Sequence, residues 1–134
     1  AKKSSFRCAD KLHFDGRADK RRTYILLNGK EISVPNREFE ILLHFAVQLK
    51  KDGEGWVHGE KFAPDSVWQN VSRLRKGVKP YLLDENSDFI ENNGGGAYRL
   101  SIPPGNVTFD ADVLGAHWNR SFAELVRQVE PAAM

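Results

Sequence analysis

The stretch at residues 65–78, DSVWQNVSRLRKGV, constrains the possible fold more than any other part of the chain. Its apolar residues are Val67, Val71, Leu74 and Val78. Steps of four, three and four residues place them on one stripe of an α-helix, which must pack against a hydrophobic core. Asp65 suits the first turn, because a carboxylate is stabilised near the positive end of a helix. The stretch therefore predicts an amphipathic helix with one buried face.

The other face of this predicted helix is rich in hydrogen-bond donors, and two interpretations of it are open. One is a helix for the DNA major groove, where Arg reads guanine and Asn or Gln reads adenine. The other is a solvated helix face on any globular domain. The donors on or beside this face are Ser66, Gln69, Asn70, Ser72, Arg73, Arg75, Lys76 and Lys79.

The composition narrows the class of protein. The 134 residues are enough for one domain with a core and a small appendage. The net charge is only +2, so the distribution of charge, and not its total, must decide about nucleic acid. Cys8 is the only cysteine, which excludes an internal disulfide and a multi-cysteine metal site. No apolar run approaches a membrane span and no signal-peptide pattern is present, so we expect a cytoplasmic protein.

Two segments are typical of β-hairpins. Asn28-Gly29 lies between the β-prone runs TYILL and KEISV, and Asn-Gly in that setting favours a tight turn with two positive φ angles. The polar, Gly-rich residues 92–96 predict a second hairpin within residues 89–101, anchored by Phe89 and Tyr98. Apolar residues at even spacing indicate further short strands near the start, at Phe6, Cys8, Leu12 and Phe14.

Helical spacing also marks the segments on either side of the central helix. Residues 36–50 predict a mostly buried helix that ends at residues 52–55, DGEG. Residues 58–63 favour a short helix, after which Pro64 begins the central one. Residues 110–130 carry an apolar stripe that fits one bent helix or two short ones, because a glycine weakens the middle. The stripe consists of Leu114, Trp118, Phe122, Leu125 and Val129.

The order of these elements resembles the OmpR-type winged-helix domain of bacterial response regulators. REFEILLHFA resembles the first helix of that family, VSRLRKGV its recognition helix and GGGAYRL its wing. The resemblance implies an α+β fold: a winged helix-turn-helix with N-terminal antiparallel strands, a three-helix core and a C-terminal β-hairpin wing, plus a C-terminal helical extension. We expect residues 1–103 to form the winged-helix domain and residues 104–134 the linker and the extension.

The function implied by the resemblance is sequence-specific binding of double-stranded DNA as the effector domain of a bacterial transcriptional regulator. The recognition helix, residues 65–79, is expected in the major groove and the wing, residues 89–101, on the adjacent backbone. The expected base readers are Gln69, Asn70 and Arg73. The expected phosphate contacts are Ser66, Ser72, Arg75, Lys76 and Lys79, and the expected wing contacts are Asn92, Asn93 and Arg99. Pro35 stands where the family has a capping Thr, so Asn36 is expected as the N-cap.

An alternative hypothesis is a winged-helix protein–protein interaction module without specific DNA binding. The low net charge favours it, as does Gly94 at the place of the usual wing arginine. RNA polymerase, and a second copy of the chain bound through the C-terminal stripe, are further candidate partners. The four histidines are widely spaced, and Asp110 and Asp112 are expected to cap the last helix. No nucleophile and base can be assembled, so we expect no enzyme, no metal site and no cofactor.

Overall fold

Strands and helices of this chain form an α+β arrangement around two small sheets. The structure, a computed structural model, describes residues 8–19, 21–58, 64–84, 86, 88–115, 117 and 120–128. Within these ranges the side chains of residues 19, 64–68, 111 and 121 lie outside the description. Phe6, named above as a strand residue, also lies outside it.

The larger sheet has four strands in the order β3-β2-β1-β7. The strands are β1 (Leu12–Asp19), β2 (Arg22–Leu27), β3 (Lys30–Pro35) and β7 (Val107–Phe109). The first three pair in antiparallel fashion, and β7 pairs with β1 in parallel. The Asn-Gly turn is confirmed: Asn28 has φ 54° and Gly29 φ 84°, and together they connect β2 to β3.

The smaller sheet contains the second predicted hairpin. Its strands β4 (Val57–His58), β5 (Ile90–Asn92) and β6 (Ala97–Leu100) are ordered β4-β6-β5, with antiparallel pairing throughout. Phe89 and Tyr98 are 2% and 6% exposed, which confirms them as the anchors of the hairpin in the core.

Helix α1 (Asn36–Asp52) is the buried helix that its apolar spacing predicts. Gly53 ends it in the left-handed conformation, φ 78°, and its N–H donates to the Leu49 carbonyl. The expected N-cap was wrong. Pro35 occupies that position without a side-chain cap, and Asn36 is already helical. The Asn36 carboxamide oxygen instead accepts a hydrogen bond from the Thr23 hydroxyl, which joins the helix to β2.

Helix α2 (Pro64–Val78) is the central helix, and a 3₁₀ turn at Lys79–Tyr81 follows it. Val71, Leu74 and Val78 are each at most 1% exposed, so this part of the predicted stripe is confirmed as buried. The short helix expected at residues 58–63 falls outside the described residues, apart from His58 in β4. None of the helices in the described part of the chain has the length and apolar character that crossing a membrane requires.

The C-terminal stripe is divided between two short helices, α3 (Ala111–Gly115) and α4 (Arg120–Arg127). Leu114, Phe122 and Leu125 belong to the same hydrophobic core as the residues of the sheets and α1. The ring centroids of Phe122 and Phe39 are 4.9 Å apart. The described part of the stripe therefore packs on its own chain; the other two stripe residues, Trp118 and Val129, lie outside the description.

Strand β7 was not predicted, and it attaches the segment after residue 103 to the first strand of the chain. Gly16 permits a further close approach there. It has φ +89°, and a Cβ at this position would lie 2.7 Å from Leu114 Cδ2. The boundary expected between residues 103 and 104 thus remains a prediction from sequence, while in space the residues on its two sides pack together.

The exit of α2 is held by a polar cluster around the first hairpin turn. The Asn28 amide donates to buried Asp10, at 2.8 Å, and to the Tyr81 carbonyl, at 2.9 Å. The second partner of Asp10 Oδ1 is the backbone N–H of Leu83, at 2.7 Å. Asn28 therefore makes the turn and also fixes the chain that leaves α2.

Candidate nucleic-acid interface

The outer face of α2 presents a row of exposed donors. Gln69, Arg73 and Lys76 are exposed at steps of four and three residues, opposite the buried stripe. Lys79 is exposed in the turn that follows, and Ser72 is half-buried beside the row. We call Gln69, Arg73, Lys76 and Lys79 the α2 donor surface. It carries three positive charges, and the only acid of the helix is at its first turn.

One expected base reader, Asn70, does not lie on this surface. Asn70 is 2% exposed, so its side chain does not reach a base in this arrangement, and the base-reading role expected for it is corrected. The reason is its position four residues before Leu74, which turns it toward the core side of the helix. The side chain of Ser66, an expected phosphate contact, lies outside the description.

Arg75 serves an internal contact instead of the expected phosphate contact. Its guanidinium donates from Nε, at 3.1 Å, and from Nη2 to the carbonyl oxygen of Ile90. This half-buried side chain joins α2 to strand β5. The phosphate-binding role expected for Arg75 is therefore replaced by a structural one, which fixes the hairpin relative to the helix.

The tip of the β5–β6 hairpin, residues 92–96, is exposed and shaped by its own asparagines. Asn92 Oδ1 accepts the N–H of Gly94 at 2.7 Å. Asn93 Oδ1 accepts the N–H of Gly95 at 2.7 Å and that of Ala97 at 3.1 Å. The side-chain oxygens of the two expected wing residues thus stabilise the turn, while both residues remain exposed at its tip.

Arg99, the third expected wing residue, is buried at 4% exposure and takes no part in the exposed tip. It stands opposite Glu91 in the strand register and donates from Nε to the Glu91 carboxylate. Its Nη1 donates to the Glu54 carbonyl at 3.2 Å, and the guanidinium lies over the Trp56 ring, 4.8 Å from the centroid. The expected DNA contact is corrected: Arg99 ties the hairpin to residues 54–56.

Glu38 is an acidic residue whose charge interacts with Arg73 of the α2 donor surface. It lies in the first turn of α1 at 7% exposure. Burial raises the pKa of its carboxyl group, and the positive charges of Arg73 and Arg22 act in the opposite direction. A buried carboxylate therefore acts on the guanidinium of Arg73, the residue at the centre of the donor surface.

The structure also brings together three side chains that the sequence analysis did not connect. Ligand atoms of His13, Asp15 and Asp110 all lie within 4.8 Å of one another. Asp110 also accepts the Val113 N–H at 3.2 Å, which confirms its expected capping role at α3. The alternation of His13 and Asp15 along one strand can be seen in the sequence. Asp110, the third side chain, lies about a hundred residues later, and the pairing of β7 with β1 brings it beside them.

Helix α2 and the β5–β6 hairpin therefore form one connected region with an exposed, donor-rich helix face and an exposed glycine-rich tip. Comparison of the chain with protein-family models, with curated proteins and with solved structures gives no match. A proposal about the ligand of this region therefore rests on the chemistry of its exposed side chains.

Proposed function

We propose that the chain is a winged helix-turn-helix domain that binds double-stranded DNA sequence-specifically, as the effector domain of a bacterial transcriptional regulator. The α2 donor surface is the observation that carries the proposal. A helix fits the major groove, where Arg complements the acceptors of guanine and Gln complements adenine. The buried stripe on the opposite face holds this helix on a core, so its exposed donors are presented as a rigid row.

The roles of individual residues follow from their exposure. Gln69 and Arg73 read base edges, while Lys76, Lys79 and the half-buried Ser72 hold phosphates. The hairpin tip lies along the neighbouring backbone, because its three glycines let a strand of DNA approach the main chain closely. Asn70, Arg75 and Arg99 support this surface from inside and are not part of it.

The salt dependence of binding tests the proposal. DNA fragments are first selected with the purified chain, and the affinity of a selected duplex is then measured over a range of salt concentrations. Neutralisation of two or three phosphates predicts a slope of log affinity against log salt of about −2 or steeper. Binding that does not respond to salt would contradict the proposal.

Two single substitutions separate base reading from phosphate binding. Arg73→Ala should cost about 1–3 kcal/mol on the selected duplex and relax the preference at one base position. Lys76→Ala should weaken binding to all sequences alike and reduce the salt slope by about one. Lys30→Ala, an exposed charge in the first hairpin, is the control and should change neither quantity. Equal effects of the two α2 substitutions on selected and random DNA would show that the roles are assigned wrongly.

A protein-interaction module is the second candidate function, and one observation favours it. Tyr81 and Leu83, just after α2, are 36% and 67% exposed, although both are large apolar side chains. In this alternative a protein partner docks on them. Leu83→Ser should then abolish capture of that partner, whereas under the DNA proposal it leaves the affinity for the selected duplex unchanged.

A further inference from the structure

Three side chains of types that can ligate a metal lie close together at the larger sheet. His13 and Asp15 alternate along β1 with buried residues, and both are half-buried themselves. Asp110 directly follows β7, and the parallel register of β1 and β7 places it beside Asp15. One ligand atom from each of the three lies within 4.8 Å of the other two.

Each of these side chains is oriented by one hydrogen bond. His13 Nδ1 lies 2.8 Å from the Thr108 hydroxyl, Asp15 Oδ2 accepts from Arg17 Nε, and Asp110 Oδ1 accepts from the Val113 N–H. His13 Nε2, Asp15 Oδ1 and Asp110 Oδ2 are in no hydrogen bond within the described part of the chain. Hydrogen bonds to the second atom of a ligand group are how metal sites fix their ligands in place.

We propose that His13, Asp15 and Asp110 form a binding site for a divalent transition-metal ion of the Zn²⁺ type. One imidazole nitrogen and two carboxylate oxygens are a set that zinc accepts, with water in the fourth position. Zinc lies about 2.0–2.2 Å from such ligands, which brings their atoms to roughly 3–4 Å from one another. The ligand atoms therefore need only small side-chain rotations from their present separations.

The composition of the site indicates which ions it prefers. Imidazole is a ligand for zinc and its neighbours in the periodic table, whereas magnesium and calcium favour sites made of oxygen alone. Two carboxylates balance the charge of a divalent ion. The guanidinium of Arg17 stands nearby, but its side chain is 54% exposed and also pairs with Glu31, so solvent and that carboxylate weaken its repulsion of the ion while its bond to Asp15 Oδ2 is kept.

Binding of the ion has a structural consequence that is independent of the proposed DNA binding. The ligands come from β1 and from the end of β7, so the ion joins the first strand of the fold to the C-terminal segment. Because the unfolded chain holds these residues far apart, the ion binds the folded state and stabilises it. No residue of the α2 donor surface takes part.

Calorimetric titration of the full chain with ZnCl₂ at pH 7, after treatment with a chelator, tests the proposal. We expect one saturable site per chain. His13→Ala and Asp15→Asn should each weaken the affinity at least tenfold. His44→Ala and Asp112→Asn are the matched controls and should leave it unchanged. His44 Nε2 lies 4.0 Å from Glu40 Oε2, so His44 is an alternative ligand on the surface of α1. Asp112 is an exposed acid close to Asp110 in the chain.

Thermal melting supplies a second readout. Zn²⁺ should raise the melting temperature of the wild type and of both controls, and not that of His13→Ala. Absence of saturable binding to the wild type overturns the proposal, as does wild-type affinity in His13→Ala. If His13→Ala does not fold, the nearly isosteric Asp15→Asn is measured instead, and wild-type affinity for Zn²⁺ in that variant overturns the proposal. Loss of binding in His44→Ala would place the ion on α1 and would also overturn the assignment.

Discussion

The guanidinium of Arg75 donates from both Nε and Nη2 to the carbonyl oxygen of Ile90, and this contact joins helix α2 to strand β5 of the hairpin. Its neighbour Lys76 is exposed on the outer face of the same helix. Two consecutive basic residues therefore have different roles. One fixes the geometry of the proposed interface, and the other contributes charge to it.

Substitution of these two neighbours should separate stability from DNA binding. Arg75→Ala should lower the free energy of unfolding by about 1–3 kcal/mol, because the Ile90 carbonyl loses a charged donor. Lys76→Ala should stay within about 0.5 kcal/mol of the wild type, as is usual for an exposed side chain. Urea denaturation of the two variants measures both values. Equal stability of the variants would show that the Arg75 contact contributes nothing.

Removal of the Glu38 charge should reveal its raised pKa. Below its ordinary value of 4.5 the carboxyl is neutral in both the folded and the unfolded chain. As the pH rises through the raised folded pKa, the buried group must ionise and stability is lost. The stability of Glu38→Gln relative to the wild type should therefore increase from pH 4 to pH 7. Glu40→Gln, on the same helix and less buried, is the control against which this change is compared.

The same Glu38 substitution should also affect DNA binding. Its carboxylate acts on Arg73, so removal of the charge leaves the guanidinium more available to an acceptor on a base. We expect the selected duplex to bind Glu38→Gln more tightly than the wild type, by less than about tenfold, and Glu40→Gln unchanged. Fluorescence anisotropy at fixed salt measures this difference, and weaker binding by Glu38→Gln would contradict it.

His117 should make the fold less stable in mild acid. It is 8% exposed, its ring centroid lies 4.5 Å from that of Phe122, and burial lowers its pKa from the ordinary value of 6.5. The unfolded chain therefore takes up a proton at a higher pH than the folded chain. Stability is complete above about pH 6.5 and decreases as the pH falls from there toward the lowered folded pKa.

Melting temperatures of the wild type should follow this course, and those of His117→Gln should depend less on pH over the same interval. His44→Gln is the control, and an identical slope in all three proteins would contradict the prediction.

The core contact of α4 can be tested without deleting the tail. Phe122 is fully buried against Phe39, so Phe122→Ala should lower the free energy of unfolding by about 3–5 kcal/mol. Glu124→Ala, exposed on the same helix, should change it by no more than about 0.5 kcal/mol. The mass in solution should be the same for the wild type and both variants. A stable Phe122→Ala protein that has changed from dimer to monomer would assign the stripe to an interface between two copies.

Local spacing in the sequence determined most of the elements near the proposed interface. The steps of the apolar residues specified the buried side of α2, and the Asn-Gly pair specified the first hairpin turn. The runs on either side of residues 92–96 specified the second hairpin. Each of these signals involves residues close together in the chain, where helix and strand periodicity act directly. The α+β class was implied by the resemblance of their order to a known family, and the sheets and helices of the structure confirm that class.

Only the tertiary structure decided which polar side chains face outward. Arg75 and Arg99 carry the same chemistry as their exposed neighbours, and contacts with residues of strand β5 turn them inward. The pairing of β7 with β1 likewise joins His13 to Asp110 across most of the chain. A strand of three residues has too few positions to show a period, and its partner is set by packing. For this reason local pattern identified the helix of the proposed interface, while long-range contacts selected the residues that it exposes.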